Sequence, residues 1–245
     1  MKTLTIIPSR LSATRLPGKP LLKINGLSII SHVFRKAVEA NIGEVFVAAE
    51  DQEIVDDVHH NGGQAILTNN NHKTGTDRIF EALQKLGRTD VEYVMNLQGD
   101  EPLMNIEDIR TLHRKMITTK SKMGTLASKI LDKKIYENQN VVKVITNENL
   151  DHSKFPEAEK FVRKIVEINN NIYHHLGIYC YQFETLDKFV SLNQSENEIK
   201  EKLEQLRALD NNIIINVSLA KESPIGVDTE EDFVAIKKIM DYKTK

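Results

Sequence analysis

Three cationic side chains lie close together in residues 8–20, the segment that follows the first strongly apolar run of the sequence. Arg10, Arg15 and Lys19 are separated by only four or five positions, and the small hydroxyl residue Ser9 lies beside them. A guanidinium binds phosphate oxygens in a bidentate manner, and an ammonium binds them as a point charge. The segment therefore predicts a triphosphate site; cations on an ordinary solvated loop are the alternative interpretation.

The same segment lacks the two common glycine-rich phosphate patterns. A dinucleotide-binding protein would carry G-x-G-x-x-G after its first strand, and a P-loop protein would carry G-x-x-x-x-G-K-[ST]. Residues 8–20 contain neither pattern. The candidates for phosphate binding are therefore side-chain cations, accompanied by small hydroxyl residues and by prolines that stiffen the end of the segment.

Two aspartates are candidates for binding a divalent cation. Asp100 follows an apolar run at 91–97 that we interpret as a strand, and ligands bind at the carboxyl ends of parallel strands. Asp228 precedes the last predicted helix, where a helix N-cap is the competing interpretation. Magnesium prefers one or two carboxylates together with phosphate oxygens and water. An aspartate at a strand tip is therefore predicted to suit Mg²⁺.

Two further segments carry polar groups that could contact a ligand. Thr74 and Gly75 open a predicted helix, where backbone N–H groups favour an anionic or polar ligand; a plain capped helix start is the alternative. His175, Tyr179 and Tyr181 alternate along a predicted strand and so face one side of it. Polar-tipped rings suit a sugar acid, whereas a half-buried strand with satisfied ring tips is the other interpretation.

The first 120 residues alternate strand-like and helix-like runs, which would position these groups. Their spacing predicts strands at 3–8, 44–49, 64–68 and 91–97 and helices at 28–41, 51–61, 76–86 and 106–117. This order predicts βαβ units around a buried parallel sheet. The predicted fold class is α/β, a doubly wound three-layer sandwich with a mostly parallel sheet and its ligand at the carboxyl ends of the strands.

The second half of the chain has a different pattern. Strand-like runs at 124–131, 141–146, 161–168 and 172–181 are separated only by loops, which predicts a mixed or antiparallel segment inserted at about 130–180. A capping box at Ser195 and Glu198 predicts a helix through Leu209. A last strand at 213–219 and a helix at 228–242 follow. Because no Gly-, Ser- or Pro-rich linker interrupts the sequence, residues 1–245 are predicted to form a single domain.

Composition excludes several classes of protein. Lys plus Arg (33) nearly balances Asp plus Glu (35), leaving a net charge of −2, so we expect no nucleic-acid partner. No apolar run approaches the length of a membrane span. The one cysteine, Cys180, excludes an intrachain disulfide and is typical of a reducing compartment. We therefore expect a soluble cytoplasmic protein with no membrane partner.

Six motifs in a fixed order resemble those of the 3-deoxy-manno-octulosonate cytidylyltransferase (CMP-Kdo synthetase) family, within the sugar nucleotidyltransferases that use CTP. Each motif by itself is weak, but the six span nearly the whole chain. They are the cationic segment at 8–20, HKTGTDR at 72–78, NLQGDEP at 96–102, HLGIY at 175–179, LEQLR at 203–207 and GVDT at 226–229.

The resemblance implies a reaction and a set of site residues. CMP would pass from CTP to the anomeric hydroxyl of 3-deoxy-D-manno-octulosonate (Kdo), releasing pyrophosphate and activating Kdo for lipopolysaccharide synthesis. A homodimer is implied, with the inserted segment as a dimer arm. The implied catalytic residues are Arg15, Lys19 and Asp100; the nucleotide-binding residues are Ser9, Arg10, Arg15, Lys19, Thr74, Gly75, Arg78 and Gln98; the sugar-binding residues are His175, Tyr179, Tyr181, Glu204 and Gln205; and Asp100 and Asp228 would hold Mg²⁺.

One segment departs from the family pattern. The family usually carries Y-F-S-R-x-x-I-P before its H-L-G-I-Y strand, and the arginine is expected to pair with the sugar carboxylate. This chain offers Lys154 or Arg163 instead, and a lysine is a point charge rather than a fork. Two rival functions therefore remain, a cytidylyltransferase for a related or modified acidic sugar and a CTP-binding module without activity.

Overall fold

A computed structural model describes residues 2–12, 15–165 and 170–243. They form two compact units, unit 1 (Met1–Val91, Asn96–Ile106 and Pro224–Lys245) and unit 2 (Glu92–Met95 and Glu107–Ser223). None of the helices in these ranges is long and apolar enough to cross a membrane. The strands are β1 Thr3–Ser9, β2 Lys23–Ile24, β3 Leu27–Ser28, β4 Glu44–Ala49, β5 Ala65–Leu67, β6 Tyr93–Asn96, β7 Met123–Ser128, β8 Lys143–Thr146, β9 Ala158–Val162, β10 Ile172–Gln182 and β11 Ile215–Leu219. The helices are α1 Ile29–Ala40, α2 Gln52–His60, α3 Gly75–Leu86, α4 Ile106–Thr119, α5 Lys134–Glu137, α6 Phe183–Ser191, α7 Glu196–Glu201, α8 Leu206–Asp210 and α9 Glu230–Lys243, and a 3-10 turn covers Lys19–Leu21.

Parallel strands form the centre of unit 1. β4 pairs in parallel with β1 on one side and with β5 on the other, for example Ile6 with Phe46 and Ala48 with Ile66. β1 and β4 are buried along nearly their whole length, as expected for strands that are covered on both faces. Because the strands run in one direction, the segments that follow them emerge at the same edge.

Amphipathic helices connect these strands. The apolar positions of α1 and α3 recur every three or four residues and are buried, which is the spacing of one helix face. The side chain of Ser28 caps α1 by accepting the N–H of Ser31, and that of Thr74 caps α3 by accepting the N–H of Asp77. The helices predicted at 28–41 and 76–86 are thereby confirmed.

A small apolar cluster in unit 1 packs the cationic segment against the start of the last helix. Its buried members include Ile24, Val227 and Ile236, and the partly buried Leu16 and Phe233 pack against them. Leu16 lies between two of the cations, and Val227 directly precedes Asp228. The cluster therefore fixes the backbone on either side of the charged groups.

Unit 2 has mixed pairing. β7 pairs in parallel with β11 and antiparallel with β10, while β8 pairs antiparallel with both β10 and β9. The register of β10 against β7 shifts between His175 and Tyr179, where Gly177 adopts a positive φ of 71°. Such a φ is available to glycine without the strain that a Cβ would impose.

The structure confirms the α/β fold class, with parallel pairing of β1, β4 and β5 in unit 1 and mixed pairing in unit 2. The helices of the second half differ from the prediction. The helix predicted through Leu209 is divided into α7 and α8, because Lys202 takes a left-handed conformation (φ 53°) and ends α7. Helix α6 was not predicted, because it begins directly after β10 with no glycine or proline between them.

The strand predicted at 161–168 begins earlier than expected. β9 covers Ala158–Val162 and a bend follows at 163–164, while residues 166–168 of the prediction lie outside the described residues. The capping box at Ser195 and Glu198 is confirmed, with both of its reciprocal hydrogen bonds formed. The single-domain organisation with an inserted segment at about 130–180 stays a prediction.

Candidate active site

A cavity of about 400 Å³ opens in unit 1 at the carboxyl end of β1. Its walls come from the segment after β1, the start of α3, the turn after β6 and the residues before α9. The nucleotide-binding, catalytic and metal-binding residues that we predict from the sequence all line it: Ser9, Arg10, Arg15, Lys19, Thr74, Gly75, Arg78, Gln98, Asp100 and Asp228. The fold thus brings together groups that are more than 200 positions apart.

The turn after β6 packs tightly against the end of β1. A Cβ on Gly99 would lie 2.9 Å from the carbonyl oxygen of Pro8 and 3.3 Å from the side chain of Ile30. Contacts of that length require the backbone to move, so only glycine fits at this position. The close approach places Asp100 in the cavity wall, where its carbonyl oxygen accepts the N–H of Val227 (2.8 Å).

Lys19 is the centre of the charged groups in the cavity. Its ammonium donates to Asp100 Oδ2, to Asp228 Oδ1 (3.2 Å) and to the carbonyl of Val227 (2.9 Å). Burial by itself lowers the pKa of Lys19, but the charges and hydrogen bonds of the two aspartates outweigh it and raise that pKa. Arg15 adds a second cation, with Nη2 2.9 Å from Asp228 Oδ2.

Asp228 is not the N-cap of α9. Thr229 Oγ1 accepts the N–H of Asp232 (3.2 Å), and the Asp232 carboxylate accepts the N–H groups of Thr229 (2.9 Å) and Asp228 (3.2 Å). This reciprocal pattern is a capping box one residue later than the sequence suggested. The carboxylate of Asp228 is therefore available to bind Lys19 and Arg15.

Glu101 is a further acidic group of this region and was not among the predicted site residues. Its Oε2 is buried and accepts no hydrogen bond from any residue in the described ranges. Burial, followed by the negative charges of Asp100 and Asp228, raises the pKa of Glu101 well above its ordinary value. Its position directly after Asp100 was the one signal in the sequence that could have found it.

The donor set of Asp100 and Asp228 fits a magnesium ion whose remaining ligands are phosphate oxygens and water. Both carboxylates already share one cation, the ammonium of Lys19. Within the described residues, no group of three or more His, Cys, Asp and Glu side chains forms a cage for a metal ion. Two carboxylates without such a cage are the protein contribution that Mg²⁺ commonly takes beside a phosphate ligand.

The start of α3 forms the opposite wall of the cavity. Gly75 packs against the Pro8 ring, where an added Cβ would still be 3.5 Å away. Arg78 is buried and donates to Glu50, to Thr68 Oγ1 (2.8 Å) and to the carbonyl of Asn69 (3.3 Å). Its charge is thus already compensated, and its predicted contact with the nucleotide stays a prediction.

His72 continues this wall and is held by an acidic partner. Its Nε2 contacts a carboxylate oxygen of Glu81, whose other oxygen lies 2.8 Å from Lys85 Nζ. Burial by itself raises the pKa of Glu81. Hydrogen bonds from Lys85, His72 and the N–H of Asn69 outweigh burial and lower that pKa to about 2.

The predicted sugar-binding residues lie in unit 2, where three of them form an aromatic row on β10. The ring centroids of His175 and Tyr179 are 5.4 Å apart, and those of Tyr179 and Tyr181 are 5.8 Å apart. All three side chains are buried. Their common face, predicted from alternation, is confirmed by these contacts.

The tips of this row are neutral. His175 Nε2 lies 3.0 Å from Thr125 Oγ1, and burial, with the charge of His174 as a smaller cause, lowers the pKa of His175 to about 3. The hydroxyl of Tyr179 is buried with no hydrogen-bond partner in the part of the chain that the structure describes. Burial, then the charges of Tyr181 and Glu204, raises the pKa of Tyr179 well above its ordinary value. An unpaired buried hydroxyl is the kind of group that a ligand satisfies.

Glu204 and Gln205 lie at the junction of α7 and α8, which a buried ion pair holds together. Arg207 Nε and Nη2 donate to Glu198 at 2.8 and 2.6 Å, and the guanidinium also lies 4.7 Å from the ring centroid of Phe189. Glu198 belongs to the α7 capping box and Arg207 to α8. The pair therefore fixes α7 relative to α8 and so holds the turn that carries the two predicted sugar-binding residues.

Comparisons with known proteins decide the family. The model of the cytidylyltransferase family matches residues 4–221. A 3-deoxy-manno-octulosonate cytidylyltransferase from Rhodopseudomonas palustris is 43% identical over 98% of both chains, and one from Paramagnetospirillum magneticum is 41% identical over 93% of both. The chain belongs to the 3-deoxy-manno-octulosonate cytidylyltransferase family.

A solved structure supports this assignment and the fold. The structure of a CMP:2-keto-3-deoxy-manno-octonic acid synthetase complexed with CTP superposes with a TM-score of 0.89, at 33% identity, over 99% of this chain and 100% of the other. A 4-diphosphocytidyl-2C-methyl-D-erythritol synthase from Anaerococcus prevotii has a TM-score of 0.64 at 14% identity, which shows a shared fold alone.

In this cytidylyltransferase the two candidates for the sugar carboxylate have different surroundings. Lys154 is exposed and its Nζ lies 2.9 Å from Glu148 Oε2. Arg163 donates to three backbone carbonyls, those of Gln139 (3.2 Å), Glu201 (3.1 Å) and Lys202 (3.2 Å). Two of these carbonyls belong to the turn that leads to Glu204, so Arg163 is beside the predicted sugar-binding segment.

Proposed function

We propose that the cavity of unit 1 holds CTP for the reaction of this family. The enzyme transfers CMP from CTP to the anomeric hydroxyl of Kdo, giving CMP-Kdo and pyrophosphate. The observation that carries the proposal is the cluster of charges around Lys19. Two cations, Lys19 and Arg15, and two carboxylates, Asp100 and Asp228, come from distant parts of the chain and line one cavity. That arrangement suits a polyanion that arrives with a divalent cation.

The chemistry is a substitution at the α-phosphorus. The anomeric oxygen of the sugar forms a bond to the α-phosphorus, and the bond from that phosphorus to the bridging oxygen of the β-phosphate breaks, so that pyrophosphate leaves with the electron pair. The proton of the attacking hydroxyl passes to solvent water. Little covalent work falls to the protein, so positioning and charge neutralisation carry the catalysis.

Arg15 and Lys19 neutralise the phosphates and the departing pyrophosphate in this proposal, with Arg10 beside them. Asp100 and Asp228 are the residues that would hold Mg²⁺. When bound, the metal supplies charge neutralisation on the phosphates and a lowered pKa for an attached hydroxyl. The two carboxylates raise the pKa of Lys19 above its ordinary value while they pair with its ammonium.

The nucleoside part of CTP is assigned to the wall formed by Ser9, Thr74, Gly75, Arg78 and Gln98. The buried Oγ of Ser9 has no hydrogen-bond partner among the described residues, so a ligand group would satisfy it. We expect the site to accept a hydrogen bond from the exocyclic amine of cytosine. UTP lacks this amine and would leave the buried acceptor unpaired, so kcat/KM for UTP should be lower by up to ~10⁴-fold.

The sugar acid is assigned to the aromatic row of unit 2 with Glu204 and Gln205. The unpaired hydroxyl of Tyr179 supports this assignment. Of the two candidates for the sugar carboxylate we favour Arg163, because in the described residues its guanidinium donates only to backbone carbonyls, whereas Lys154 is already neutralised by Glu148.

Substitution of each candidate decides between them. Arg163→Lys should raise the KM for Kdo by about tenfold, since the planar fork is lost, while Lys154→Ala should leave that KM unchanged. Tyr179→Phe should raise the KM for Kdo by a similar factor, because it removes one buried hydrogen-bonding group. The opposite ranking of Arg163 and Lys154 would move the carboxylate site to Lys154.

The family resemblance also supports a homodimer in the cytoplasm as part of this proposal. Sedimentation at several protein concentrations tests the dimer. Cys180, the one cysteine of the chain, is fully buried, and burial raises the pKa of its thiol, so oxidation of that thiol does not complicate the measurement.

The central experiment measures pyrophosphate release with CTP, Mg²⁺ and Kdo, beside a panel of related sugar acids and beside UTP. Release that is fastest with CTP and Kdo supports the proposed reaction. Faster release with another sugar acid would reassign the acceptor. Binding of CTP without release on any sugar acid would identify a nucleotide-binding protein without this activity.

A further inference from the structure

Glu50 lies just beyond the end of β4, outside every segment that the proposed reaction uses. Its carboxylate is nevertheless shared between two walls of the CTP cavity. Oε1 accepts the hydroxyl of Ser12 (2.9 Å), which belongs to the cationic segment after β1, and Oε2 accepts Nη2 of Arg78, which belongs to α3. One side chain therefore connects the two walls.

The two ends of this connection differ in burial. The side chains of Arg78 and Glu50 are 4% and 10% exposed, whereas the hydrogen bond to Ser12 is at the surface. Arg78 is also held by Thr68 Oγ1 and the carbonyl of Asn69. The hydrogen bond between Glu50 and Arg78 is thus buried and supported by further contacts, whereas the hydrogen bond between Glu50 and Ser12 is exposed to water and breaks more easily.

Neighbouring backbone contacts fix the same stretch of chain. The N–H of Glu50 donates to the carbonyl of Ser9 (3.3 Å), and Asp51 Oδ2 accepts the N–H of Leu11 (2.7 Å). Three hydrogen bonds therefore join residues 9–12 to residues 50 and 51, and a fourth joins Glu50 to Arg78. Arg10 lies within this tethered stretch, and Arg15 and Lys19 follow it.

We propose that Glu50 is a positioning residue that ties the cationic segment to α3 and so holds its cations at the triphosphate of CTP. The proposal rests on the assignment of CTP to this cavity. Glu50 contacts no reacting atom; it acts through Ser12 on one side and Arg78 on the other. A loop held in its binding conformation before the ligand arrives loses less entropy on binding, and affinity rises accordingly.

The test compares Glu50→Gln, Ser12→Ala and their double variant, with Glu53→Gln as the matched control. Glu53 is an exposed carboxylate only three residues away, in the first turn of α2. The affinity for CTP with Mg²⁺ is measured by calorimetry without sugar, and the KM values for CTP and Kdo are measured separately.

Glu50→Gln should weaken CTP binding by about 10–100-fold and Ser12→Ala by about 3–10-fold, since hydrogen bonds to charged groups are being removed. The KM for Kdo should stay within about twofold, and Glu53→Gln should match the parent protein. The amide introduced by Glu50→Gln still accepts a weaker, neutral hydrogen bond from Ser12, so the double variant should be at most about threefold weaker than Glu50→Gln alone.

Additive losses would overturn the proposal, since they would mean that Ser12 contacts the nucleotide itself. Unchanged CTP affinity in folded Glu50→Gln would overturn it as well. If that variant does not fold, Ser12→Ala becomes the test, and a CTP affinity equal to that of the parent protein would again overturn the proposal. A parent protein that binds CTP but releases no pyrophosphate would refute the proposed reaction, while the calorimetry would still decide the role of Glu50.

Discussion

Two arginine–carboxylate pairs of similar length have opposite surroundings. Arg15 and Asp228 in unit 1 are 2.9 Å apart with side chains 59% and 45% exposed, whereas Arg207 and Glu198 in unit 2 are 2.6 Å apart and each 3% exposed. An exposed pair contributes little to stability because water screens it. A buried pair cannot lose one partner without leaving a desolvated charge.

The difference indicates what each of the two pairs can do. Unit 1 keeps Arg15 and the carboxylate of Asp228 accessible, so that a ligand can exchange partners with them. Unit 2 encloses its pair and uses it to join α7 to α8, and the aromatic row beside it on β10 is neutral. The exposed pair is open to a ligand, whereas the buried pair is part of the architecture, and four experiments test this difference.

The largest effect is expected from breaking the buried pair. Arg207→Met leaves Glu198 uncompensated and should lower the free energy of unfolding by ~3–5 kcal/mol, measured by urea denaturation. The double variant Arg207→Met with Glu198→Leu should recover much of this loss, because no buried charge remains. A loss below about 1 kcal/mol in the single variant would contradict the architectural role.

Arg15→Ala tests the opposite behaviour. Turnover should fall by ~10²–10³, the effect of one preorganised charged contact in a transition state, while thermal stability stays close to that of the parent. Arg110→Ala is the control, since Arg110 is an exposed arginine paired with Glu107 one turn earlier in its helix. Collapse of stability with normal turnover of the folded fraction would make Arg15 structural.

Asp100→Asn and Asp228→Asn test whether the two carboxylates act as one unit. Each should reduce turnover by about 10²-fold at low magnesium and recover in part at high magnesium, because loss of a ligand weakens metal binding at least as much as loss of a supporting group does. The double variant should be little worse than the worse single variant. Helix α9 should stay intact in both, since Thr229 and Asp232 cap it. Additive losses with unchanged magnesium dependence would refute a shared metal.

The smallest effect concerns pH. The pKa of His175 is about 3 in the folded protein against an ordinary 6.5, so between these values only the unfolded chain binds the proton. Stability should therefore fall as pH decreases below 6.5, by about 1 kcal/mol per pH unit from this group. His175→Gln removes this contribution, and its stability should depend less steeply on pH between 6 and 5. Equal slopes for the two proteins would show that the histidine is not held neutral by burial.

Much of unit 1 could be predicted because its signals are local. Apolar spacing fixes α1 and α3, and short apolar runs fix β1 and β4. The cationic segment, the turn at Gly99 and the start of α3 had to meet once the strands were parallel, since parallel strands end at one edge. Local signals failed where an element began without a break, as in α6, or ended through one left-handed residue, as at Lys202.

The α/β fold class, the charged groups of the unit 1 cavity and the family could be inferred from the amino-acid sequence, because strand order and motif order are properties of the chain. The partner of each charge was visible only in the folded protein. Asp228 was a candidate N-cap of α9 in the sequence, but Thr229 caps this helix in the structure. The structure also shows that Arg78 pairs with Glu50. Arg207 is a structural residue because it forms a buried pair with Glu198. The physical reason is distance: electrostatic and hydrogen-bonding energies depend on separations of a few ångströms and on burial, and neither quantity is encoded at a single position.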